Sequence, residues 1–211
     1  MPARRPRELT PRKMPRQARS KATIDAIFDA TIQILLSYGV RRLTTTRVAE
    51  RAGVSVGTLY QYFPHKEALL YAIIEHYLSQ VAEAVEESCN QNLGQPLAVA
   101  SDALVSAYIL AKSKDAEASR ALYTVSSDVD VADLVNATFK RLHDAGGRLL
   151  RSCPHVQFEN VDEVTFTLMA AVTGATRVAF QNDAHREKLD DFREQIMTMC
   201  RAFLQNAAVD R

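Results

Sequence analysis

The sequence predicts an all-α protein, on three observations. Apolar side chains recur at i, i+3, i+4 and i+7 through every long segment from residue 23 onward, the period of a helix with one buried face. No run alternates apolar and polar residues at period two. Only 7 Gly and 7 Pro in 211 residues, with no Trp, leave little material for a turn-rich β protein. At 47% hydrophobic the chain is globular in composition. No apolar run approaches the ~18 residues of a membrane span, and the N-terminus lacks the apolar core of a signal peptide. Cys89, Cys153 and Cys200, odd in number and far apart, fit buried thiols in a reducing compartment. A cytoplasmic location without a membrane partner is expected.

Charge divides the chain. The net charge is +1, yet residues 1–66 hold 13 Lys or Arg against 4 Asp or Glu, and the remainder holds 13 against 21. That asymmetry points to a basic module for an anionic partner and an acidic module with another task. Residues 1–21 contain eight positive charges, one Glu and four prolines, which cannot build a core; they read as a disordered basic arm.

The helical period starts at Thr23, with Ile24, Ile27, Phe28, Thr31, Leu35 and Tyr38 on one face and Gly39 as the stop. A second helix follows in "TTTRVAERAG", capped by Thr44 or Thr45, with Val48, Ala49 and Ala52 inward. Gly53 permits a tight turn, and Ser55 caps a third short helix. A fourth, over 66–88, carries Leu69, Leu70, Ile73, Ile74, Tyr77, Val81 and Val85 as its stripe. "CNQNLGQP" (89–96) is a linker, with Pro96 suited to a first helical turn. Helical patterns return at about 97–112, 115–123, 129–151, 160–181 and 186–206. Gly146 and Gly147 inside one of them indicate a kink or close packing.

Two short helices joined at Gly53 carry the signature of a DNA-binding helix-turn-helix. Leu59 and Phe63, four residues apart, anchor the second of them on Val48 and Ala52. Val56, Thr58, Tyr60, Gln61 and Tyr62 are left for its other sides, and in such motifs the early residues of this helix enter the major groove. Hydroxyls on Thr58, Tyr60 and Tyr62 donate to phosphate oxygens, as do backbone N–H groups at the helix start beside Ser55. Gln61 offers the paired donor and acceptor that an adenine edge takes, and Val56 packs on a thymine methyl. Gly57 costs about 1 kcal/mol against Ala inside a helix. Close approach to DNA accounts for that cost, and so does tight packing between helices. For Arg47 and Arg51 a solvated face is the plain alternative.

The run "LTTTRVAERAGVSVGTLYQYFPHKEALL" (43–70), with "TIDAIFDATIQILLSYGV" before it, closely resembles the DNA-binding segment of the TetR family of bacterial repressors. The resemblance implies that Thr44 and Thr45 cap the second helix and touch phosphate, and that Thr46 reaches a base. It places Val56, Gly57, Thr58, Gln61 and Tyr62 on the recognition helix, with Tyr60 and Lys66 on phosphate. His65 departs from the pattern, where Ser, Asn or Asp is the commoner cap, and implies a weaker cap on the fourth helix. The basic arm is expected either to enter the adjacent minor groove or to add non-specific affinity.

One short helix-turn-helix makes few base contacts, so a homodimer on a two-fold operator is expected. Candidate interface residues are Leu168, Val172 and Ala175 on one stripe and Leu189, Phe192, Ile196, Met199 and Phe203 on the last; the resemblance implies that these two helices pair into a four-helix bundle. It also implies an unknown small-molecule effector among the middle helices. Polar or soft residues on apolar stretches there are Tyr108, Tyr123, His143, Thr165, Met169, Thr173 and Arg177. No phosphate loop, zinc-type His-Glu-x-x-His or nucleophile elbow occurs, so neither enzymatic activity nor a cofactor or metal is expected. Cys153 and His155, flanking one proline, form only a two-ligand fragment. The organisation expected is a disordered arm (1–21), a helix-turn-helix domain (22–66) and a helical ligand-binding and dimerisation domain (67–211), with the fourth helix as a strut. The function expected is a ligand-responsive transcriptional repressor; an activator or a factor without ligand control is the alternative.

Overall fold

The computed structural model describes residues 18–125, 129–181 and 189–210. The helices in chain order are α1 (Ala18–Tyr38), α2 (Thr45–Arg51), α3 (Val56–Tyr62), α4 (Lys66–Gln91), α5 (Leu97–Ser113), α6 (Ala116–Val125), α7 (Ala132–Ser152), α8 (Val161–Gln181) and α9 (Leu189–Ala207). A single 3-10 turn, Val40–Arg42, joins α1 to α2. Two short strands, β1 (Val156–Phe158) and β2 (Ala208–Asp210), complete the chain. Helix α1 starts at Ala18, inside the segment expected to be a disordered arm; Ala18, Arg19, Lys21 and Ala22 are good helix formers that extend it. Residues 1–17 of that arm lie outside the described residues.

The described residues group into two compact units. One takes the chain up to Tyr77 together with Glu117–Leu134, and the other takes Leu78–Ala116 together with the chain from Val135 onward. The division therefore falls inside α4, twelve residues after its start at Lys66.

In unit 1 the apolar stripe of α1 buries Ile27, Phe28, Ile34 and Leu35; α1 packs on α2, whose Val48 and Ala49 are buried, and α2 packs on α3, whose Leu59 is buried. The Phe28 and Phe63 rings stack at a tilt, 5.9 Å apart. Thr31 joins this core because its hydroxyl donates to the Ile27 carbonyl at 2.7 Å, which satisfies the polar atom locally. Gly39 ends α1 at φ 71, the left-handed conformation that a Cβ disfavours. Glu117–Leu134 are tied in by a hydrogen bond between the Ser119 and Tyr77 hydroxyls. Val129 and Val131 are buried but lie before the helix, since Asp130 Oδ1 accepts from Ala132 N at 3.3 Å and opens α7 three residues later than the pattern expected.

In unit 2 helix α5 packs along α9, fixed on one side by Arg201 Nη1 donating to Asp102 Oδ2 at 3.3 Å. Arg141 of α7 forks onto Glu86 of α4, with Nε–Oε1 at 2.8 Å and Nη2–Oε2 at 2.6 Å. That bidentate geometry is the strong form of the interaction, and the Arg141 guanidinium holds the Glu86 carboxyl below its usual range. A Cβ on Gly146 comes within 3.1 Å of Thr165 Cγ2 and 3.2 Å of a Leu104 methyl, so close packing of α7, not a kink, explains this glycine. No strand was expected, yet β1 and β2 pair antiparallel, Gln157 opposite Val209. Strands of three residues are too short to display a period. All three cysteines are buried and free, and burial pushes the thiols of Cys89 and Cys200 up to about 12 and about 11.

Candidate nucleic-acid interface

The site is built on two caps. Thr44 is extended, and its Oγ1 accepts from Arg47 N at 3.3 Å, so Thr44 caps α2 and Thr45 is its first helical residue. Gly53 turns the chain at φ 67, with Val54 N donating to the Ala49 carbonyl at 2.9 Å. Ser55 Oγ then accepts from Thr58 N at 2.9 Å and caps α3. Each cap stabilises its short helix by about 1 kcal/mol. His65 stands at the start of α4, where its Nδ1 accepts from Ala68 N at 3.2 Å. The imidazole lone pair takes the place of a hydroxyl or carboxylate oxygen in that role.

Helix α3 is pinned by Leu59, wholly buried, and by Phe63, which is 1% exposed just beyond it. Tyr60, at 41% exposure, and Gln61 face outward. The Tyr60 and Thr45 hydroxyls meet at 3.1 Å, so two expected phosphate contacts from different helices converge on one spot. Ser55 and Thr58 hydroxyls lie 2.8 Å apart and orient each other. Thr44 and Thr46 are exposed, Val56 is half-buried, and Lys66 is half-buried with only a 4.0 Å approach to Glu67. Tyr62 departs from expectation: at 8% exposure its ring belongs to the core beside Phe63, because it follows Leu59 by three residues and so shares its face.

Gly57 separates the two explanations offered for it. A Cβ there meets nothing nearer than Ser55 Oγ at 3.7 Å, an ordinary contact. Packing within the chain therefore does not demand glycine, and the exposed side of α3 at Gly57 is bare.

Sequence reasoning passed over Arg41 and Arg42, two exposed cations in the 3-10 turn that leads into the α2 cap. The signal was present in "GVRRLTTT", where the pair falls between a helix stop and a cap. Arg47 Nη1 donates to the Arg42 carbonyl at 3.0 Å and steadies this turn. Arg51 is held toward α1 by Nε donating to Gln33 Oε1 at 2.6 Å.

Residues 27–73 match the family described as bacterial regulatory proteins, tetR family, and residues 96–204 match the tetracyclin repressor-like C-terminal domain. The chain belongs to the TetR family. This TetR-family chain is 31% identical to the fatty acid metabolism regulator protein of Bacillus subtilis over 65 residues, 31% of this chain and 34% of that one. It is 37% identical to the A-factor receptor protein of Streptomyces griseus over 90 residues, 41% of this chain and 33% of that one. The chain thus spans about a third of the length of these curated relatives. Its fold is similar to that of SmeT, the repressor of the Stenotrophomonas maltophilia multidrug efflux pump SmeDEF. The TM-score is 0.68 at 19% identity, over 89% of this chain and 93% of that one.

The TetR-family C-terminal region distributes the remaining candidates unevenly. Of the expected effector contacts, Tyr108, Thr165 and Met169 are buried, Tyr123, His143 and Thr173 are half-buried, and Arg177 is exposed on α8, away from any interior. Thr165 Oγ1 donates to the Val161 carbonyl at 2.6 Å and Thr173 Oγ1 to the Met169 carbonyl at 2.7 Å, which occupies both hydroxyl hydrogens. His143 Nε2 lies 3.0 Å from the Asp162 carbonyl, and Tyr123 belongs to unit 1. Lys112 of α5 is also buried, at 3% exposure.

Of the expected dimer contacts, Leu168, Val172 and Ile196 belong to the core of their own chain, at 1%, 0% and 9% exposure. Ala175, Leu189, Phe192 and Phe203 are half-buried, and Met199 is exposed. The outward apolar face of α8 is another one: Phe166, Ala170, Gly174 and Val178, spaced four apart. Phe166 and Val178 are 56% and 58% exposed, and a Cβ on Gly174 meets nothing within 4 Å. Among the described residues no helix is long and apolar enough to cross a membrane.

Proposed function

We infer that this protein is a DNA-binding transcriptional regulator, a repressor that a small molecule releases from a two-fold operator. The outer side of α3 carries the reading. There Tyr60 and Gln61 point outward and Gly57 leaves backbone bare, on a helix whose other side is locked into the core by Leu59. A surface of that kind suits the floor of a major groove, where backbone must come close and a few polar groups must reach base edges.

Thr44, Thr45, Tyr60 and Lys66 hold phosphates and set the register, joined by Arg41 and Arg42. Thr46, Val56 and Gln61 read base edges, while Ser55 and Thr58 fix the start of α3 and offer hydroxyls to the backbone. Tyr62 serves the core instead. The second subunit docks on the outer face of α8, where Ala170 and Gly174 permit close helix approach between Phe166 and Val178. Paired subunits present two α3 helices to successive major grooves, roughly 34–36 Å apart. An effector in unit 2 favours a state with the wrong spacing, and its leverage is its difference in affinity for the two states. Relatives named as a receptor and as an efflux-pump repressor support control of this kind.

Genomic footprinting of the purified protein, followed by gel shift with and without candidate compounds, tests the reading. Protection of a two-fold site is expected. Equal, weak binding to every duplex at low salt removes it.

A further inference from the structure

We propose that Arg47 is a positioning residue for DNA binding: its guanidinium stays off the DNA and holds the turn that presents Arg41 and Arg42 to phosphates. The inference rests on the reading that unit 1 binds DNA, and it names the group that braces one edge of that surface.

The stretch from Gly39 to Ala49 contains Arg41, Arg42 and Arg47 and no acidic residue. All three arginines are exposed, and none has an ion-pair partner among the described residues. Cations gathered this closely without an acid suit an anionic partner.

The turn that carries Arg41 and Arg42 has little to hold it. Gly39 opens it at φ 71, and no residue of Val40–Arg42 is buried. Leu43, at 2% exposure, is the first anchor after it. Its backbone bonds run from Arg42 N to the Gly39 carbonyl at 3.2 Å and from Leu43 N to the Val40 carbonyl at 3.1 Å. Neither uses the Arg42 carbonyl. Arg47 takes it, with Nη1 donating at 3.0 Å.

Arg47 thereby touches both parts of the lead into α2. Its backbone N–H donates to the Thr44 cap at 3.3 Å, and its side chain reaches five residues back to the turn. A guanidinium on a carbonyl makes a charge-assisted hydrogen bond, stronger than a neutral one. The bond ties the turn to a helix whose place is fixed, since Val48 and Ala49 of α2 are wholly buried. Arg42 is held by its main chain, which leaves its side chain and that of Arg41 outside. Turning Arg47 toward a phosphate instead would break the side-chain bond that steadies them. Arg51, the other arginine of α2, is also spent within the chain, with Nε donating to Gln33 Oε1 at 2.6 Å.

The test uses the full chain, the duplex that footprinting protects, and a scrambled duplex of equal length. Arg47→Ala and the double variant Arg41→Ala/Arg42→Ala are combined in a cycle, with affinity measured across a salt series. In the wild-type background Arg47→Ala is expected to weaken binding roughly tenfold, the effect of one charge-assisted hydrogen bond. In the double-variant background it is expected to cost less than about twofold and leave the salt slope unaltered. In the free protein it is expected to speed amide exchange at Arg42 and Leu43 and leave that of Leu59 unchanged.

A loss of equal size in both backgrounds overturns the proposal. With a salt slope shallower by about 0.9 in the double-variant background, that loss puts Arg47 on a phosphate itself; with the slope unaltered, the role is one of stability alone. No loss in the wild-type background, or unaltered exchange in the turn, overturns it too. All of these leave the DNA-binding reading standing. That reading falls, and this proposal with it, if footprinting protects no duplex or the wild-type protein binds both duplexes alike.

Discussion

Helices α3 and α8 each expose a glycine that the rest of the chain does not require. Gly57 has only an ordinary contact in reach of a Cβ, and Gly174 has nothing. Both sit on outward faces, and in the proposed reading the missing side chain is an opening for another molecule: DNA at α3, a second subunit at α8. The two helices differ in how they could be read. Helix α3 has seven residues and one anchored side, so Leu59 and Phe63 fix which way the rest points. Helix α8 has 21 residues and is apolar on two sides, so its pattern does not say which stripe the chain keeps for itself. A one-sided helix declares its face; a two-sided one waits for its neighbours.

The sharpest break in the comparison is a charge on each stripe of α8. Ala170→Arg is expected to leave the melting temperature near wild type, convert the dimer to monomer by ultracentrifugation, and weaken operator binding by about 10²–10⁴-fold as the second half-site contact is lost. Leu168→Ala, on the buried stripe, is expected instead to cost about 2–5 kcal/mol of stability through its cavity. Equal effects of the two on assembly sink the assignment of faces.

The same contrast on α3 is smaller. Leu59→Ala should unfold unit 1 by about 2–5 kcal/mol. Gln61→Ala should leave denaturant midpoints alone and relax preference at one base pair by about 1–3 kcal/mol, read by binding to a panel of singly altered operators.

Lys112 offers a check that needs no partner. Its folded value of about 7 lies below the ordinary 10.5, so between those values the unfolded chain binds a proton that the folded chain does not. Its contribution makes stability rise with pH through that window, and below about 7 the penalty is present in full. Lys112→Met should flatten this rise in thermal melts. A slope unchanged by the substitution refutes the buried neutral amine.

The smallest effect is the most telling about Gly57. Gly57→Ala should stabilise the fold by up to about 1 kcal/mol and yet weaken DNA binding, measured by melting and gel shift on one preparation. A gain in both removes the close approach.

The helix-turn-helix was legible in the sequence because its determinants are local. Caps at Thr44 and Ser55, a left-handed glycine at 53, and an apolar pair four apart act within a few residues of one another. Tyr62 was misjudged because its type suits phosphate as well as core, and only its phase relative to Leu59 decided the matter. At His65 an imidazole nitrogen accepts from a helix N–H where an oxygen is commoner. The three-residue strands carried no signal at all.

What the sequence determined by itself was the helical class, the order of helices and the chemistry of α3, all set by periods and caps that a short stretch of chain contains. What only the tertiary structure decided was which apolar stripe of α8 turns inward, and that Ser101, Tyr108 and Lys112 are buried on one face. Burial is a property of neighbours brought from far along the chain, and no local pattern encodes who those neighbours are.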